Sequence, residues 1–166
     1  MILVLHNIRS VYNVGSIFRT ADAAGVEKIY LCGYTPTPLD RFGTPRKDLA
    51  KVALGAEKTI PWVQAKTLAG AIKQLKKDRY TVAAVEQDKN STPLFKFKPP
   101  KKLALVLGNE VRGLSKASLK LCDVVLEIPM RGSIVRQAHH PRKTRRGKES
   151  LNVSVAAGIA MFAFTK

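Results

Sequence analysis

Short apolar runs alternate with segments of helical period along the chain, and this alternation restricts the fold more than any other feature. Ile2, Leu3, Val4 and Leu5 form an unbroken apolar run. That is the pattern of a strand buried on both faces, without the polar alternation of a half-solvated one. Lys28–Cys32, Tyr80–Val85, Leu103–Leu107 and Val124–Ile128 read as four further strands. Between the first two, Val14, Ile17, Phe18, Ala21 and Ala24 recur at helical spacing, with Asn13 placed to cap the start and Gly25 to stop the helix. Leu68, Ala71, Ile72 and Leu75 mark a second helix with Thr67 as its cap, and Ser115 to Leu121 reads as a short third. Leu151, Val155, Ile159 and Phe162 line one face of a final helix, which Ser150 can cap. Gly33 to Gly55, rich in Gly, Pro and charge, reads as a long surface loop with a short helix. Asn90 to Lys102, with Pro93, Pro99 and Pro100, reads as a loop. Apolar strands separated by helices predict an α/β fold, a parallel sheet flanked by helices on both faces.

The 166 residues suit one domain with a substantial core, and neither an internal repeat nor a second domain is evident. Lys and Arg number 29 against 12 Asp and Glu, a net charge of +17. Such an excess points first to nucleic acid; an anionic membrane surface or simple solubility would need the same charge. The segment Ser133 to Gly147, SIVRQAHHPRKTRRG, has five basic residues and no acid, and lacks apolar periodicity. It reads as an exposed basic loop. Cys32 and Cys122 belong to no CxxC or Cys/His cluster and read as buried thiols in a reducing compartment. The apolar run at Ile2 to Leu5 is too short for a signal peptide. No stretch approaches the roughly 20 apolar residues of a spanning helix. The expected location is the cytoplasm, without a membrane partner and without a metal.

Three segments carry chemistry. In Asn13 to Asp22, Asn13 and Arg19 lie within two turns near a helix start. Free backbone N–H groups and a guanidinium fork suit a phosphate there; an ordinary cap and a surface arginine would show the same residues. In Leu107 to Ser115, a glycine directly after a strand lets a ligand approach the backbone at the sheet edge where α/β ligands bind. Gly108 and Gly113 have part of a P-loop spacing, but Leu114-Ser115 replaces the required Lys-Ser/Thr, which excludes an NTPase. No GxGxxG follows any strand, which weighs against a dinucleotide-binding fold. The third segment is Ile128-Pro129-Met130 with Ser150 to Ser154. Pro129 ends a strand's ladder, and Asn152 offers an amide near a helix start.

Taken together and in this order, NVGSIFRTADAAGV (Asn13 to Val26), LVLGNEVRGLS (Leu105 to Ser115), and IPM (Ile128 to Met130) with SLNVSVAAG (Ser150 to Gly158) resemble the SPOUT superfamily. Within it they look like the SpoU/TrmH-type ribose 2′-O-methyltransferases, and the resemblance covers nearly the whole chain. It implies an α/β knot with a C-terminal trefoil, which local patterns do not reveal. It also implies a homodimer with its active site at or near the subunit interface, S-adenosyl-L-methionine as cofactor, and tRNA or rRNA as substrate. By motif position, Leu107, Gly108, Ile128, Met130 and Leu151 would line the cofactor pocket. Asn13, Arg19, Glu110, Ser150 and Asn152 would form the catalytic and substrate-side set.

No His belongs to any motif, and the resemblance gives the role of activating the 2′-hydroxyl to Arg19. A guanidinium normally stays protonated, so Arg19 is expected to position phosphate and hydroxyl. One departure stands out: such enzymes join the two halves of the third motif by a short link. Here Ser133 to Gly147 reads as a basic insertion in that link. Two other readings use the same residues, a non-catalytic RNA-binding knotted domain and a knotted methyltransferase acting on a base. The arginine of the first motif and the SLN of the third favour the ribose enzyme.

Overall fold

The structure is a computed structural model and describes residues 1–130 and 150–165. Seven strands form one wholly parallel sheet in the order β3-β2-β1-β6-β4-β7-β5. These are β1 (Ile2–His6), β2 (Lys28–Cys32), β3 (Trp62–Ala65), β4 (Thr81–Val85), β5 (Thr92–Pro93), β6 (Leu103–Leu107) and β7 (Val124–Glu127). Among the described residues the α-helices are α1 (Val11–Ala23), α2 (Lys47–Ala53), α3 (Ala56–Thr59), α4 (Leu68–Lys77), α5 (Lys116–Leu119) and α6 (Val153–Phe164). The expected α/β architecture is present. The expected trefoil depends on the path between Met130 and Ser150, which lies outside the described residues, as does the basic segment Ser133 to Gly147.

Alternate residues of each central strand serve opposite faces, as a pleat requires. Leu3 and Leu5 of β1 join Ile17, Phe18, Leu105 and Leu107 in one core cluster. Ile2 and Val4 face the other way and pack with Ile72, Leu75, Ala104 and Val106 in a second cluster. β1 and β6 lie side by side at the centre, with Ile2 opposite Ala104 and Leu5 opposite Leu107. This explains why both read as unbroken apolar runs.

Three local expectations are corrected. Helix α1 starts before Asn13: its cap is Ser10, whose hydroxyl accepts from the Asn13 N–H at 3.2 Å. That frees the Asn13 side chain for the contact described below. The cap of α6 is Asn152 rather than Ser150, its Oδ1 accepting from the Ser154 N–H at 2.8 Å. On α6 the core face is Val153, Ala157, Ala160 and Met161. Val155 and Phe162 point outward, 49% and 54% exposed. The helix is apolar almost all round, so spacing alone marks no unique inner face. Thr67 caps α4 as expected, accepting from the Gly70 N–H at 3.1 Å.

One close approach places α1. A Cβ on Gly15 would lie 2.9 Å from the Leu49 carbonyl oxygen, so only glycine lets α1 and α2 pack at this distance. On the other flank Thr20 of α1 packs against Gly158 of α6. Helix α1 is thereby held with its N-terminus at the carboxyl edge of the sheet, beside the loop that follows β6. Cys32 is buried and unpaired, and Cys122 is unpaired but only half-buried. Burial pushes their thiols up to about 12 and about 11 respectively, so both are poor nucleophiles. No helix among the described residues is long and apolar enough to cross a membrane.

Candidate active site

Strands β6, β4 and β7 end together at the carboxyl edge of the sheet, and the chain leaving them encloses a cleft of about 240 Å³. All five residues expected to hold a cofactor line it: Leu107, Gly108, Ile128, Met130 and Leu151. Leu107 and Gly108 are buried, and the other three are half-buried. Glu110 and Ser150 line the cleft too.

The floor of the cleft is a tight loop. Asn109 Oδ1 accepts from the N–H groups of Val111 and Arg112, both at 2.9 Å, and the Gly113 N–H returns to the Asn109 carbonyl at 2.9 Å. The loop folds back so closely that a Cβ on Gly108 would lie 2.7 Å from the Gly113 carbonyl carbon. Gly113 itself has φ +62°, and a Cβ there would lie 2.3 Å from Glu86 Oε2. Glu86, the first residue after β4, accepts from the Leu114 N–H at 2.9 Å and so ties the loop to the neighbouring strand. Glu86 lines the cleft and was not expected from the motifs. Its only signal in the sequence is an acid placed directly after the apolar run Val82 to Val85.

Beside the cleft, one side chain from each of the three sequence segments joins a single hydrogen-bonded chain. Asn152 Nδ2 donates to Asn13 Oδ1 at 3.2 Å, and Asn13 Nδ2 donates to Glu110 Oε1 at 3.0 Å. The Glu110 carboxylate also accepts from the N–H groups of Arg9, at 2.9 Å, and Ser10, at 3.0 Å. These N–H groups lie at the start of α1 and have no helical partner. Burial pushes the Glu110 carboxyl upward, but the N–H groups of Arg9, Ser10 and Glu110 itself, with the Asn13 amide, outweigh it. The group is held below the usual carboxylate range.

Arg19 is not part of this chain. It is exposed on α1, does not line the cleft, and makes no hydrogen bond or ion pair among the described residues. Asn13, Glu110, Ser150 and Asn152 are thus gathered at one corner of the molecule, while Arg19 stands apart. Among the described residues, no group of three or more His, Cys, Asp or Glu side chains could hold a metal ion.

The fold has counterparts in known proteins. Residues 1–135 match the model of the SpoU rRNA Methylase family. The 23S rRNA (guanosine-2′-O-)-methyltransferase RlmB of Escherichia coli is 31% identical over 161 residues, 97% of this chain and 58% of the relative's own length. Among solved structures, an AdoMet-bound rRNA methyltransferase of Sinorhizobium meliloti superposes with a TM-score of 0.78 at 26% identity, over 98% of this chain and 54% of that one. The SpoU methyltransferase AviRb of Streptomyces viridochromogenes has the same fold, with a TM-score of 0.77 at 23% identity over 98% of this chain and 57% of that one. The chain therefore spans little more than half the length of these relatives. On the family match, which takes in the first and second sequence motifs and the strand leading to the third, the chain belongs to the SpoU rRNA methylase family.

Proposed function

We propose that the chain transfers a methyl group from S-adenosyl-L-methionine to a ribose 2′-hydroxyl of rRNA or tRNA. The observation that carries this reading is the hydrogen-bonded chain Asn152–Asn13–Glu110 at the lip of the cleft. It spends the polar groups of three separate segments on one corner. The residues of the cleft fit the cofactor: Leu107, Ile128, Met130 and Leu151 offer apolar walls to an adenine, and Glu86 and the backbone offer acceptors to its polar groups. The name of the Escherichia coli relative specifies a guanosine ribose of 23S rRNA, which makes rRNA the first substrate to test.

S-adenosylmethionine, when bound, supplies a methyl group made electrophilic by its sulfonium. The chain's own part is to orient a weak nucleophile and stabilise the charge that develops on it. Asn13 and Asn152, fixed by Glu110, would orient the ribose, with Ser150 on the cleft side. Arg19 would hold the adjoining phosphate and stabilise the 2′-oxygen as its proton passes to solvent water and the methyl group arrives. Because Arg19 stands away from the cleft of its own chain, the reading requires a homodimer. The exposed Tyr12 on α1 and Val155 and Phe162 on α6 supply an apolar surface for it.

Two measurements test this. Calorimetry should give a saturable S-adenosylmethionine site competed by S-adenosylhomocysteine, and labelled methyl should pass to the ribose of RNA from cells lacking the gene. No heat and no thermal stabilisation at millimolar cofactor would sink the reading, because a ligand of the folded state must stabilise it. For the dimer, sedimentation should give twice the chain mass. Phe162→Asp should give a folded monomer that has lost methyl transfer. A parent chain that sediments as a monomer yet transfers methyl refutes the dimeric site.

A further inference from the structure

A second pocket, of about 330 Å³, opens at the same edge of the sheet, where the chain leaves β2 and β3. Tyr34, Asp40, Arg41, Arg46 and Gln64 are among the residues that line it. Arg46 is half-buried, and its Nε is fully buried with no hydrogen-bond partner among the described residues. Neither Arg46 nor Arg41 makes an ion pair among the described residues. A guanidinium N–H withdrawn from water without an acceptor is costly, and an anion bound against it would offset that cost. The acid in this wall, Asp40, is already engaged: its Oδ1 accepts from the N–H groups of Phe42 at 2.8 Å and Thr44 at 2.9 Å. It stiffens the loop that carries Arg41, whose guanidinium stacks on the Phe42 ring at 4.7 Å.

Tyr34 connects this pocket to the active-site corner. Its ring is 60% exposed, while its hydroxyl accepts from Asn109 Nδ2 at 3.0 Å. Asn109 immediately precedes Glu110 and also donates to the Asn7 carbonyl at 2.8 Å. In the sheet only β1 separates β2 from β6. The nearest strands of the two sites, β2 and β6, are therefore about 10 Å apart along the edge, two strand spacings. An exposed aromatic face beside unpaired guanidinium groups suits a splayed single-stranded nucleotide better than a bare anion.

We propose that this pocket takes a nucleotide neighbouring the methylated one on the same RNA strand, its phosphodiester on Arg46 and Arg41 and its base on the ring of Tyr34. The inference rests on the RNA-methyltransferase reading and assigns that enzyme a flanking-nucleotide subsite.

The test is fluorescence anisotropy of a mixed-sequence single-stranded oligoribonucleotide on the full chain, across a range of salt. Arg46→Gln should weaken binding about tenfold, the worth of one charged hydrogen bond. It should also make the log–log salt slope shallower, by at most about 0.7, because one of the two cations on that phosphate is lost. Tyr34→Ala should weaken binding about tenfold by removing the stacking face, with the salt slope unchanged, and Tyr34→Phe should keep most of the affinity. S-adenosylmethionine binding should be parental in Arg46→Gln. Arg41→Gln, at an exposed position, gives the same slope test should Arg46→Gln fail to fold. Parental affinity and slope in folded Arg46→Gln, or in Arg41→Gln in its place, together with parental affinity in Tyr34→Ala, would overturn the proposal. A parent chain that transfers no methyl, while the slope still changes in Arg46→Gln, would remove the enzyme reading and leave the RNA pocket standing.

Discussion

Replacing Glu110 with alanine is expected to lower stability by about 3 kcal/mol and to reduce methyl transfer to background. The carboxylate receives the N–H groups of Arg9 and Ser10 and the Asn13 amide. Alanine leaves all three donors without this acceptor, those of Ser10 and Asn13 partly buried and that of Arg9 exposed to water. The loss should appear as a fall of about 6–12 °C in the thermal midpoint of a domain this size. Catalysis suffers separately, because Asn13 and through it Asn152 lose their anchor. Glu110→Gln tests geometry against charge, since an amide presents one acceptor oxygen and an extra donor to the same N–H groups.

The pH dependence has a definite sign. The Glu110 carboxyl lies below its ordinary 4.5 in the folded chain. Its stabilising contribution is therefore complete above that ordinary value and is lost as the pH falls through the lower folded one. Urea denaturation across that acidic window should show a steeper loss in the parent than in Glu110→Gln. An alanine variant with parental stability and activity would remove Glu110 from this account.

Arg19→Ala is expected to behave in the opposite way, losing methyl transfer by about a thousandfold while the fold is untouched. Arg19 is exposed and without a partner among the described residues, so its removal should change stability by less than about 0.5 kcal/mol. Arg19→Lys should recover little, because an ammonium lacks the planar fork that holds a phosphate and a hydroxyl together. Single-turnover kinetics separate this from weakened RNA binding: at saturating RNA the rate should still be low. Full activity in either variant would take Arg19 out of the mechanism.

The contrast between these two residues also shows what a sequence can carry. β1 and β6 were readable because strands buried on both faces must be apolar throughout. β3 was not, because Trp62–Ala65 is an edge strand whose central residues, Val63 and Gln64, are exposed. β5 is two residues long and ends in Pro93, within a stretch that reads as a loop. Four of the residues expected to hold a cofactor lie at or just beyond the ends of β6 and β7, and Leu151 joins them in the cleft from just before α6. The pairing of Glu110 with Asn13 could not be read from local spacing, since it joins positions 97 residues apart. Glu86 escaped for a related reason, its partner Leu114 being 28 residues away.

The central pairing of β1 with β6 matters also for the order in which the chain can organise itself. β1, α1 and β2 are consecutive and can associate once the first few dozen residues are made. β6 must then enter beside β1 from about a hundred residues downstream, where Leu5 meets Leu107. Contacts of such long separation carry a large closure entropy and slow the search for the native topology. The Arg9–Glu110 bond spans 101 residues and lies just beyond that strand. The corner proposed for chemistry is thus assembled only after the late strand is in place, and a nascent chain that stops short of β6 has the helix of the first motif but lacks the Glu110 carboxylate that its N-terminus meets.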